Sequence, residues 1–108
     1  LNNKTALGGL VKPITKQMKS ILVTTEHRGV WYAEVEEGKD LTPQTLTDLK
    51  NCRMAIYWGT KKGLQELCQT GPTSSSRISS MADIPVLHKV TAVFDVTEKA
   101  AIEWKKHI

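Results

Sequence analysis

The 108-residue chain is poor in cysteine, with Cys52 and Cys68 alone. Two cysteines make no disulfide framework, and a chain of this length can build one hydrophobic core without such staples, so two buried, reduced thiols are expected. Long apolar runs are missing as well. Nothing approaches the roughly 20 residues that cross a bilayer, and ALGGLV near the start is too short for a secretory core and has no small-residue cleavage pattern after it. No membrane partner is expected. Metal-ligand spacing is also lacking: His27, His88 and His107 fall in a turn, a strand and a helix end, with neither an H-E-x-x-H pair nor a Cys/His cluster. No metal or cofactor is expected.

The first twenty positions lack acidic residues. They carry Lys4, Lys12, Lys16 and Lys19, and removing these four from the fifteen basic residues leaves eleven against eleven acidic ones. The body of the chain is neutral, and the net charge of +4 belongs to its first twenty positions. Binding to duplex DNA is not expected of a neutral domain, because backbone recognition requires a basic groove. Residues 1–17, with two adjacent glycines, a proline and little periodicity, are read as a basic N-terminal extension, poorly ordered or loosely docked. Residues 18–108 are read as a single domain.

What remains is rich in β signals. SILVTTEHRGVWYAEVEE is dense in β-branched and aromatic residues, with Trp31, Ala33 and Val35 on one face and Val30, Tyr32 and Glu34 on the other. EHRG at Glu26–Gly29 divides this stretch into two strands, with Gly29 suited to a positive φ, and EEGKD supplies the next turn. LTPQTLTDLKNC admits two readings. Thr42 and Pro43 suit a helix start, whereas Thr45–Thr47 suit a strand, and the extended reading is favoured. RMAIYW is a clearer strand, with Met54, Ile56 and Trp58 on one face and Arg53, Ala55 and Tyr57 on the other.

YWGTKKGLQELCQTGPTSSSR collects glycines, lysines and hydroxyls in a way that suggests a phosphate loop. Such a loop needs its glycines ahead of a Lys-Ser/Thr pair that opens a helix. Here the lysines precede Gly63 and the hydroxyl run comes last, so order and spacing both fail. A short helix capped by Thr60, with Leu64, Leu67 and Cys68 on its inner stripe and Gly71-Pro72 ending it, accounts for the same residues. A polar loop follows, with Arg77 and Ile78 entering another strand. VLHKVTAVFDV reads as a strand. Thr97 then caps a last helix whose charges oppose its dipole and whose stripe is Ala100, Ala101, Trp104 and Ile108. The fold class expected is α+β: a small antiparallel, partly barrel-like sheet with a short middle helix and a C-terminal helix.

MKSILVTTEHRGVWYAEV, KNCRMAIYW, GLQELCQTGPTSSSRIS and VTAVFDVTEKAAIEW together resemble a family of small uncharacterised proteins encoded by bacteriophages and prophages, over roughly Met18 to Trp104. The resemblance implies a phage origin, hence the bacterial host cytoplasm or the virion as location, and places residues 1–17 outside the shared domain. It implies no activity and transfers no catalytic residue.

No catalytic constellation is expected. Ser74–Ser76 come with no marked base or oxyanion hole, and Glu26, His27 and Arg28 are consecutive at a hairpin tip, where side chains point apart. A non-enzymatic binding protein is the better expectation. Trp31/Tyr32 and Tyr57/Trp58 are adjacent pairs on strands, so a sheet covered on one side would expose one aromatic of each pair. Helices covering both faces would bury them. The candidate partner-binding residues are Glu26, His27, Arg28, Trp31, Tyr32, Tyr57, Trp58 and Arg77. The partner expected is a protein: a second copy in a homo-oligomer, a host factor, or a component of the virion. Single-stranded nucleic acid stacked on the exposed aromatics is the alternative.

Overall fold

The computed structural model describes residues 17–107. Its elements run β1 (Met18–Thr25), a 3-10 turn (Glu26–Arg28), β2 (Gly29–Glu36), β3 (Leu46–Tyr57), α1 (Glu66–Gln69), β4 (Arg77–Ile78), β5 (Ala82–Leu87), β6 (Val90–Asp95) and α2 (Glu98–Lys106). The basic extension, apart from Gln17, lies outside the described residues, as does Ile108.

The strands form one antiparallel sheet in the order β4-β3-β2-β1-β6, with β5 alongside β3. β1 and β2 are a continuous hairpin from Met18↔Glu36 to Thr25↔Gly29. β3 does more than its length suggests. Its C-terminal half faces β2 through Trp31↔Met54 and Tyr32↔Arg53, while its N-terminal half pairs with β5 through Leu46↔Leu87 and Leu49↔Ile84. Two left-handed residues inside the strand, Asp48 (φ 57°) and Asn51 (φ 51°), bracket the change. Asp and Asn tolerate that region better than other side chains, and the register shifts there mark bulges, which bend a strand. The sheet therefore curls but does not close: β5 pairs with β3, and β6 pairs with β1.

Each face of the curled sheet has its own core. Ile21, Val23, Ala33, Val35, Leu46, Leu49, Cys52 and Val90 fill the inner, concave side. Leu22, Val30, Tyr32 and Ala55 face the helices, where Leu67, Cys68, Ala100, Ala101 and Trp104 meet them. α2 is built as its sequence requires: Thr97 Oγ1 accepts from the Ala100 N–H at 3.1 Å, Glu98 occupies the first turn, and Lys105 and Lys106 occupy the last.

Several local expectations need correction. The left-handed residues of the β1–β2 turn are His27 (φ 64°) and Arg28 (φ 67°), whereas Gly29 is extended. Gly29 is needed for space, since a Cβ there would stand 2.0 Å from Thr25 Oγ1. The middle helix is a single turn starting at Glu66 rather than at Thr60, because Gly63 (φ 81°) breaks the path between them. VLHKVTAVFDV is two strands, turned at His88 and at Lys89 (φ 61°). The extended reading of the segment after Pro43 holds from Leu46 onward.

Candidate functional site

At the tip of the β1–β2 hairpin, Glu26, His27 and Arg28 are all exposed. The turn is braced from below: the Glu26 N–H donates to Lys89 O at 3.0 Å, and Glu26 Oε1 lies 3.9 Å from Lys89 Nζ and 3.8 Å from His27 Nε2. His88, beside Lys89, reaches Thr45 Oγ1 through Nδ1 at 3.3 Å. The tip and the β5–β6 corner thus form one polar end of the molecule. His88 and Lys89 were missed as site residues because the apolar alternation runs across the corner without marking it.

The aromatic pairs part company. Tyr32 is fully buried and stacks on Trp104 with ring centroids 5.4 Å apart, so it contributes no surface. Trp31 turns into the concave core and is half-buried. Neither member of that pair is exposed, because the helices cover one face and the curl of the sheet covers the other. Trp58 packs against the helix-side core. Tyr57 differs: it is 57% exposed, next to Ile56 at 53%, and it pairs across the ladder with the exposed Arg77. Tyr57 and Arg77 are the candidates that the fold brings together on an open surface.

The loop that imitates a phosphate cradle spends its amides on its own side chains. The N–H groups of Lys61 and Lys62 donate to Glu66 Oε1, at 3.2 and 3.0 Å. Those of Gly59 and Thr73 donate to the buried Ser76 Oγ, at 3.2 and 3.1 Å. Ser76 is a structural acceptor, and the amides of Gly59, Lys61, Lys62 and Thr73 are already engaged.

Beneath α2 lies a polar cluster that sequence reasoning did not single out. The Tyr32 hydroxyl donates to Glu34 Oε2 at 2.5 Å and meets Ser20 Oγ at 3.0 Å. Asn51 Nδ2 donates to Glu34 Oε1 at 2.8 Å, and Lys105 Nζ sits 3.0 Å from Oε2. Burial alone would raise the Glu34 carboxyl, but the bonds from Tyr32, Asn51 and Lys105 outweigh it and hold the group below the usual carboxylate range. Burial first, and then the bond to that carboxylate, pushes the Tyr32 phenol up. Glu34 is thus an ionised, hydrogen-bonded anchor for α2. Arg53 completes the attachment: Nε donates to Ser79 O at 2.8 Å, and one terminal nitrogen donates to Trp104 O at 2.7 Å and His107 O at 2.8 Å. It satisfies carbonyls that the end of a helix leaves open. The available signal was a charged residue at an inward position of each alternating strand, Glu34 beside Tyr32 and Arg53 beside Ala55.

The two thiols are free and buried, and burial pushes Cys52 up to about 11 and raises Cys68. Neither is poised as a thiolate. Among the described residues no group of three or more His, Cys, Asp or Glu is placed to hold a metal ion, and no helix is long and apolar enough to cross a membrane.

Residues 18–104 match the model of a domain of unknown function, DUF6948, and the chain belongs to that family. No curated protein and no solved structure matches the chain.

Proposed function

We propose that this DUF6948 chain is a phage- or prophage-encoded, non-enzymatic protein that works by binding another protein, either a host factor in the bacterial cytoplasm or a neighbour in the virion. The observation that carries the reading is the exposed Tyr57 at the end of β3, with the exposed Arg77 across the ladder from it. Tyrosine and arginine are enriched where protein interfaces are tightest. The buried groups with chemical potential are otherwise occupied: Glu34 holds α2, Ser76 holds the loop, and the thiols are protonated.

The test compares the protein with its Tyr57→Ala/Arg77→Ala variant, after denaturation shows that the two fold alike. A cross-linked host or virion protein captured by the parent and lost with the variant supports the reading. Tyr57 and Arg77 would also suit a stacked base and its phosphate. Micromolar or tighter binding of a single-stranded oligonucleotide, abolished by the same variant, would replace the protein partner with nucleic acid.

A further inference from the structure

The two borders of the sheet are unlike. On the β3 side, the border strand is broken into the two-residue β4 and a β5 that carries Asp83 and Pro85, devices that discourage strand addition. On the other side stands β6, VTAVFD, with neither proline nor lysine. The direction of its backbone follows from two hydrogen bonds. The Val96 N–H donates to Ser20 O at 3.3 Å, and the Glu37 N–H donates to Gln17 O at 2.9 Å. By antiparallel alternation, even-numbered residues of β1 then face β6, and Val93 and Asp95 turn their N–H and C=O groups outward. Gln44 O takes the Val90 N–H at 2.8 Å, and beyond it a groove of about 410 Å³ runs between β6 and residues 41–44.

We propose that β6 is a self-pairing edge, through which two copies of this chain join antiparallel into one continuous sheet. Setting Val93 and Asp95 of one copy opposite Asp95 and Val93 of the other satisfies all the outward groups of both residues. Charge selects the orientation. β6 begins after Lys89 and ends in the acidic Asp95, followed by Glu98 and, on the first turn of α2, Lys99. An antiparallel two-fold brings each basic head toward the other copy's acidic tail, whereas a parallel arrangement would set like against like. The intramolecular partners of these groups are loose and exposed: Lys89 with Glu26 at 3.9 Å, and Asp95 with Lys19 at 3.4 Å. Ile102, 54% exposed on α2, lines the same cleft as Asp95 and Val96, and supplies apolar surface beside the edge. This interface is separate from the Tyr57–Arg77 surface and does not rest on the reading proposed for it.

The full chain is examined by sedimentation equilibrium up to concentrations on the order of 100 µM, the regime of a small interface. A dimer is expected whose Val93 and Asp95 amides exchange about tenfold more slowly at high concentration than on dilution. Lys89→Glu and Glu98→Lys should each weaken association about tenfold, since the two-fold axis repeats each reversal, and the double variant should restore it. A monomer throughout overturns the proposal, as does a dimer whose Val93 and Asp95 exchange rates are unmoved by concentration. A double variant as weak as the single ones overturns the antiparallel arrangement.

Discussion

The two cores of this small domain are built on different principles. The concave core is mainly aliphatic, drawn from β1, β2, β3 and β6, with Cys52 among its members and the half-buried Trp31 packed against it. The core under the helices holds Tyr32, Trp104, Glu34 and Arg53, and they bond to carbonyls, to one another, or to the side chains of Asn51 and Lys105. The indole of Trp104 shows the pattern: its ring stacks on Tyr32 while Nε1 donates to Leu67 O at 2.9 Å, tying α2 to α1. Trp31, in the concave core, shows the opposite, for its Nε1 is the one buried side-chain polar atom among the described residues without a hydrogen-bond partner. A strand-on-strand core is positioned by ladders, so its side chains need only be apolar. A helix has no ladder to the sheet beneath it, and directional bonds must set its place.

The largest expected effect tests the helix side. Trp104→Ala should cost about 3–5 kcal/mol in chemical denaturation, because it removes a fully buried aromatic together with the bond to Leu67. An unchanged midpoint would mean that α2 is not part of the core.

A smaller, pH-dependent loss is expected at Glu34. Its folded carboxyl titrates below the unfolded value, so its stabilisation is complete above about pH 4.3 and is lost as pH falls through the folded value. Glu34→Gln should therefore be less stable at neutral pH by about 1–3 kcal/mol. That gap should narrow as the medium is acidified, and urea titrations at several pH values measure it. A gap that stays constant would remove the ionised anchor.

The smallest effect belongs to Trp31. Replacing it with phenylalanine deletes an N–H that has no partner, so thermal unfolding should move by less than about 1 kcal/mol in either direction. A loss as large as that of Trp104→Ala would erase the contrast between the two cores.

Much of this architecture is written in local pattern. The alternation in VWYAEV placed Val30, Tyr32 and Glu34 together, and they share the helix side. Thr97 was readable as a cap, and Gly71 as the residue ending the middle helix, where it takes φ 92°. The turns at EHRG and EEGKD were legible, but the left-handed residues were not. Lys89, His27, Asp48 and Asn51 are left-handed without being glycine, and only the tertiary pairings on either side force them there. The roles of Glu34 and Arg53 were hidden for a related reason: their partners, Lys105 and the carbonyls of Trp104 and His107, lie more than fifty positions away along the chain. Of the candidate surface, Tyr57 and Arg77 are exposed where expected. The fate of Trp31 and Tyr32 depended on whether the second face was covered, which no single strand can tell.

The bend in β3 carries one last consequence, for how the molecule comes apart. A straight strand would belong to one layer, and the other layer could peel away on its own. β3 instead contributes Leu46, Leu49 and Cys52 to the concave core, then Arg53 and Ala55 to the helix side, while holding β2, β4 and β5 in place. Releasing it from β2, which lines both cores, opens both interiors at once. Such a strand acts as a shared hinge pin, and it makes the domain a single cooperative unit in which neither layer can melt without the other.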